Sequence, residues 1–173
     1  MKYLEKDWYG ESCPKVAFEI IKSTHWTLKV DVHVPPEKSP IAKPYEYKEG
    51  LWEQDVAEWF LVNPKTQQYI EWNLSANGAW WLMTFSGVRQ RAENLLPSFE
   101  AITTRSSQQE GSWQAEIEVP EKLLVDLLGD DKWVHNVCFI IGKQQARQYI
   151  SLNELGSGAP DFHRPQQITT KLK

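Results

Sequence analysis

Two stretches of the chain alternate strictly between apolar and polar residues. In "WTLKVDVHV", Leu28, Val30, Val32 and Val34 fall on one side and Lys29, Asp31 and His33 on the other, which predicts a half-buried antiparallel strand. In "SWQAEIEVP", Trp113, Ala115, Ile117 and Val119 share the inward side, and Pro120 ends the ladder because it has no N–H to donate. "DVAEWFLV" and "QQYIEWNLS" are also strand-like, with turn chemistry in the "NPKTQ" between them. In "SANGAWW", Asn77-Gly78 predicts a hairpin because both residues tolerate positive φ. Residues 55 to 86 therefore form a three-stranded meander. "HNVCFIIGK" and "ARQYISL" add two strands.

One segment departs from this period. "PEKLLVDLLG" places Leu123, Leu124, Leu127 and Leu128 at helical spacing, with Pro120 at the first helical position and Gly129 as the stop. The proline- and charge-rich "PPEKSPIAKPYEYKEG" reads as an exposed loop, and "NELGSGAPDFHRP" as a turn-rich loop near the end. Many short strands and one short helix predict an all-β fold, an antiparallel β-sandwich of immunoglobulin-like or jelly-roll-like type. At 173 residues the chain suits a single domain, 1–173.

Charge and composition narrow the function classes. A net charge of -4 argues against a nucleic-acid binder, which needs clustered Lys and Arg. No apolar run is long enough to span a membrane, and the opening "MKYLEKDWYGESCPK" is broken by charge, so the expected location is the cytoplasm and no membrane partner is expected. In a reducing compartment Cys13 and Cys138 are two thiols packed as small hydrophobes, with no catalytic role.

The motifs do not favour catalysis. Glu53, Asp55 and Glu58 resemble a glycosidase carboxylate set only in residue type, since strand spacing alone does not place two carboxyls across a bond. No G-x-S-x-G elbow is present, and the protein is expected not to be an enzyme. His25, His33, His135 and His163 are scattered outside any zinc frame, so the sequence assigns no metal. Met83 with a histidine would be the minimum for haem, but its setting in "WWLMTF" reads as core filling.

The aromatic content is less ordinary. Aromatics make up 12% of the chain, and five of nine tryptophans fall in residues 50–81 among acids and amides. Trp72, Trp80, Trp81 and Trp113 read as core or cross-strand residues, and one of the consecutive pair Trp80 and Trp81 must face outward. Trp52 admits two readings: a core residue beside a solvated acidic face, or a flat platform for the C–H face of a sugar whose hydroxyls meet Glu53, Asp55 and Glu58. Asp55 would equally serve to fasten a loop through backbone N–H groups. "PDFHRP" repeats the combination with Asp161, Phe162, His163 and Arg164. Arg89 and Arg91 share a strand face and either line a concave site or lie on a solvated edge.

"LWEQDVAEWFL" is similar to the motif that begins the ligand-binding strand of family 9 carbohydrate-binding modules, β-sandwich domains related to the DOMON superfamily. "YIEW", "ANGAW", "WQAEIEVP", "HNVCFII" and "PDFHRP" follow in similar order, extending the resemblance over residues 15 to 172. It implies a sugar held between two rings, with Trp52 as the first and Glu58 as a polar contact on the same strand. At the second ring this sequence has His163 before Arg164, with Phe162 beside it, where a tryptophan precedes arginine in the family. A histidine stacks less area and titrates near neutrality, which implies weak affinity or a different ligand. Family modules also carry structural calcium, for which no ligand set is matched here. The resemblance thus implies a small-saccharide partner and no other cofactor. A protein-interaction or scaffold module with an exposed tryptophan anchor is the alternative, and a haem-binding DOMON-like domain the third.

Overall fold

The computed structural model describes residues 1–92, 101–129 and 132–172. Its described strands form two antiparallel sheets packed face to face. The first has five strands, β1 (Lys2–Lys6), β2 (Ser12–Lys22), β3 (His25–Val32), β8 (Thr103–Gln109) and β9 (Ser112–Pro120), in the order β1-β2-β3-β9-β8. The second has six, β4 (Val56–Val62), β5 (Tyr69–Ser75), β6 (Trp80–Gly87), β7 (Gln90–Arg91), β10 (Val134–Ile141) and β11 (Gln148–Ser151), in the order β11-β10-β4-β5-β6-β7. One helix, α1 (Glu121–Leu128), carries the chain from β9 to β10.

The predicted alternation sets the core. Leu28, Val30 and Val32 of β3 and Trp113, Ala115, Ile117 and Val119 of β9 pack against Trp59, Leu61, Ile70, Trp72, Leu74, Trp80 and Leu82 of the meander. Val34 lies just past the end of β3, partly buried against the same core. Trp59 and Trp72 sit directly opposite each other on β4 and β5, both without solvent exposure. Pairing large rings across this ladder excludes water from the inter-sheet space, which is where most of the stabilisation of such a sandwich resides. Leu124 and Leu128 of α1 close one end of this core.

Three local details differ from the sequence reading. Pro120 is the last strand residue and caps α1, which begins at Glu121. At the β5–β6 hairpin only Gly78 takes positive φ, at 79°. Asn77 instead uses its side chain: Oδ1 accepts from the Ser75 hydroxyl and the Ala79 N–H, and Nδ2 donates to the Ala42 carbonyl. This is the pattern of a turn closed by a left-handed glycine rather than one with two left-handed residues. Arg89 and Arg91 do not share a strand face, because Arg89 occupies the β6–β7 turn with φ 56° and Arg91 alone lies on β7.

The second sheet is buried on both faces. Its outward parity carries Val56, Phe60 and Val62 of β4, Tyr69 of β5, Trp81 and Phe85 of β6 and Cys138 and Ile140 of β10, a second apolar cluster completed by Ala42, Leu51, Leu155, Phe162 and Ile168 from loops. Trp81 is therefore the outward-facing member of the consecutive pair, yet it is buried. Cys13 and Cys138 are both free thiols. No helix among the described residues is long and apolar enough to cross a membrane.

Candidate functional site

The loops that cover the outer face of the six-stranded sheet leave one cleft of about 300 Å³ open over its centre. Its floor is sheet: Glu58 from β4, Glu71 from β5, Trp81 and Phe85 from β6, Ile140 from β10 and Tyr149 from β11. One wall is the short 3-10 turn Leu51–Glu53, which carries Trp52. A second is the β6–β7 turn with Arg89, continued by Arg91. The third is the late loop with Pro160, Asp161, Phe162 and His163.

Each wall is fixed by identifiable contacts. Gly50, at φ 92°, lets the chain enter the 3-10 turn, and Leu51 anchors the turn in the second cluster. The Arg147 guanidinium donates to the carbonyls of Trp52 (2.6 Å) and Gln54 (3.3 Å), holding the turn from behind. Trp52 is half-buried and stands edge-on to Trp81, with ring centroids 5.0 Å apart and planes at 63°. That geometry is favourable for two aromatic quadrupoles and leaves much of the Trp52 ring at the cleft rim. Arg91 lies over Trp81 at 5.5 Å and pairs with Glu49.

The late loop is held through His163. Its backbone N–H donates to Asp161 Oδ1 (3.0 Å), the same oxygen that accepts from Arg89 Nη2 (2.8 Å). Its ring is enclosed by Phe60, Tyr69 and Phe85 at 5.2–5.8 Å. His163 Nδ1 lies 2.7 Å from the Tyr69 hydroxyl, which also accepts the Arg89 N–H at 3.0 Å. His163 Nε2 faces Glu71 Oε2 at 3.5 Å. Burial, reinforced by the Arg89 charge, pushes this imidazole down to about 4. It is neutral near pH 7, so the contact with Glu71 is dipolar rather than an ion pair.

The floor carries unusual electrostatics. Glu58 and Glu71 are each only 4% exposed. Desolvation, followed by the nearby Glu71 charge, drives the Glu58 carboxyl well above the usual carboxylate range. Glu71 is pushed up to about 7 by burial, against the pull of a 2.8 Å hydrogen bond from Asn73 Nδ2. Two carboxyls in one desolvated pocket resist holding two charges, so they share protonation.

A face of aromatic rings edged by hydrogen-bonding groups, on the open side of a sandwich sheet, invites comparison with known proteins. No protein-family model matches the chain. Over 136 residues it is 29% identical to the UPF0462 protein C4orf33 homolog of Danio rerio, a match that covers 75% of this chain and 64% of that one. Over 146 residues it is 27% identical to the Mus musculus homolog, covering 79% and 72%. The chain thus spans slightly under two thirds of the zebrafish relative. A Bacteroides uniformis protein, to which carbohydrate binding has been ascribed by inference, superposes with a TM-score of 0.77 at 18% identity, over 99% of this chain and 85% of that one. A family 9 carbohydrate-binding module from Caldicellulosiruptor kristjanssonii superposes with TM-scores of 0.61 in complex with cellotriose and 0.60 with glucose. Identity is 12% in both cases, over 99% of this chain and 82% and 84% of theirs. This chain has the fold of the family 9 modules.

Within that family 9 fold, the structure brings four of the seven residues singled out from sequence to the cleft: Trp52, Glu58, Phe162 and His163. Phe162 is largely spent on packing, with Phe60, Tyr149 and Trp8 rings 6.1–6.5 Å away. The other three lie elsewhere. Glu53 is exposed, beside Glu37 and Lys143 in a shallow surface depression. Asp55 accepts the Gly142 N–H at 2.7 Å and so fastens the β10–β11 loop, the loop-tying role that its residue type allowed. Arg164 donates to the Leu155 and Ser157 carbonyls and covers Trp8 at 5.2 Å. The expectation that residue 163 titrates near neutrality is corrected by its enclosure among three rings.

The sequence reading missed Glu71, Phe85 and Tyr149, and read Trp81 as a core or cross-strand residue without giving it a place in the site. One signal was available. Glu58 sits in the middle of "VAEWFLV", where the residues on both parities are apolar. A carboxylate in a strand with no polar face is not a solvated one. Among the described residues no three His, Cys, Asp or Glu side chains converge as metal ligands.

Proposed function

We propose that this cleft binds a small saccharide without altering it chemically. The observation that carries the reading is Trp52: a half-buried indole at the rim of a cleft, braced by Trp81, with Glu58 and Glu71 on the floor beneath. A pyranose has an apolar C–H face that suits an aromatic surface and a belt of hydroxyls that suits carboxyl groups and arginines. The volume of about 300 Å³ is at the small end of ligand sites, consistent with one or two sugar units. The structures of a family 9 module with cellotriose and with glucose support the same class of ligand.

Trp52 and His163 play unequal parts. Trp52 offers ring surface, whereas His163 is boxed in by three rings and acts as a post that sets Glu71 and the late loop. The ligand is therefore stacked chiefly on one side. The test is thermal unfolding of the protein against a panel of mono- and oligosaccharides, repeated with Trp52→Ala. A binding sugar raises the midpoint in proportion to the logarithm of its concentration above Kd, and the variant loses that rise. A panel without effect on the wild-type protein would refute the reading.

A further inference from the structure

The charges around the cleft do not balance in its floor. Arg89 is paired with Asp161 at 2.8 Å, and Arg91 with Glu49. Arg147, the third cation near Glu58, directs its guanidinium to the Trp52 and Gln54 carbonyls and also faces Asp55. His163 is neutral near pH 7, and Cys138 beside Glu58 is a buried, protonated thiol. Glu71 has one hydrogen bond, from an uncharged amide. Glu58, only 4% exposed, lines the cleft and receives no hydrogen bond from any described residue. Two carboxyls are thus held out of water without a cation between them.

Such an arrangement is costly in the empty protein. An unpaired buried carboxylate loses the hydration it has in water, which is why the Glu58 carboxyl lies well above the usual carboxylate range and Glu71 is pushed up to about 7. A neutral sugar offers hydroxyl donors but no charge to offset the ionisation of these carboxyls. The Trp52 wall and the Trp81, Phe85 and Tyr149 floor line the cleft with aromatic rings, whose quadrupoles attract a cation.

We infer that the preferred ligand is an amino sugar, a pyranose whose protonated amine is seated over Glu58 and Glu71 while its C–H face lies on Trp52. The inference rests on the saccharide reading and adds to it the charge of the ligand. The ammonium supplies the missing counter-charge and gives up hydrogen bonds to both carboxyls, so its binding expels a proton from the pair to solvent. An N-acetylated sugar of the same shape lacks that charge and is discriminated against, because the buried carboxyl then has no partner.

Isothermal titration of the full chain near pH 7 with glucosamine, glucose and N-acetylglucosamine tests this. The expected result is binding of glucosamine at least about tenfold tighter than of either neutral sugar. Glu58→Gln keeps the shape of the floor, removes the ionisable carboxyl and folds at least as stably as the wild type, as a melting curve will show. It is expected to bring glucosamine and glucose within about twofold of each other. Glucose or N-acetylglucosamine bound as tightly as glucosamine by the wild type would overturn the inference and leave the saccharide reading standing. An undiminished preference in Glu58→Gln would overturn it as well. Binding of none of the three sugars would overturn the inference, and the saccharide reading falls with it only when the wider panel of mono- and oligosaccharides is also without effect.

Discussion

Glu58 and Glu71 are diagonal neighbours on one face of the β4–β5 ladder: Glu58 pairs with Asn73 and Glu71 with Phe60, which places the two carboxyls two residues out of step on adjacent strands. Side chains so related stand about 7–8 Å apart at their base, within reach of each other's charge. The same relationship governs how the empty protein responds to pH and what it binds.

The first prediction concerns that pH response. Glu71 is pushed up to about 7 in the folded state, above the ordinary carboxylate value it regains on unfolding. Its contribution is fully present below about pH 4.5 and is lost as pH rises through 7. Glu71→Gln should remove this loss and stabilise the protein near pH 8 by up to about 3 kcal/mol relative to wild type, measured by urea unfolding across pH. Equal slopes in variant and wild type would contradict the assignment.

His135 works in the opposite sense. It is buried on the inward side of β10, and desolvation pushes its imidazole down to about 4. Its stabilising effect is present above the unfolded value of about 6.5 and is lost as pH falls toward 4. His135→Gln removes the titration, and the variant should lose less stability than wild type between pH 7 and 4.

Tryptophan substitutions should separate core from site. Trp72→Ala empties a fully buried indole volume from the inter-sheet core and should cost about 3–5 kcal/mol. Trp52→Ala removes a half-buried ring from the rim and should cost well under half as much. Denaturant midpoints at constant m-value provide the comparison.

Asn153 is predicted to be the bolt of the late loop. Its Nδ2 donates to the His135 carbonyl and Asn136 Oδ1, and its Oδ1 accepts from the Thr169 and Thr170 N–H groups and the Thr170 hydroxyl. Asn153→Asp replaces a donor with an acceptor opposite two oxygens and should destabilise by about 2–4 kcal/mol, with Asn153→Ala similar. Saccharide affinity should fall with either change, because this anchoring underlies the loop that carries His163.

The strands whose polarity alternates, β3 and β9, and the meander β4–β6 were legible because burial on one or both faces leaves a periodic or apolar imprint. β8, "TTRSSQQ", leaves none: it is an edge strand held by its ladder with β9, and its side chains are polar on both parities. β2 was obscured by Pro14, which is tolerated because the β1–β2 register shifts between Leu4 and Lys6, opposite that proline. At the site, local motifs revealed Trp52 and Glu58. Glu71, Phe85 and Tyr149 could be joined to them only by knowing the order β11-β10-β4-β5-β6-β7, which no local pattern encodes. Arg164 shows the converse: its residue type suits a ligand, but the carbonyls of Leu155 and Ser157 claim it first.

The most direct test of the central claim is to follow the nine indole N–H resonances by two-dimensional NMR while a saccharide is added. The account predicts saturable shifts of the Trp52 and Trp81 signals, with those of Trp59, Trp72 and Trp113 in the inter-sheet core staying in place. Saturable shifts confined to other tryptophans, or none for any sugar tested, would contradict a saccharide site at this cleft.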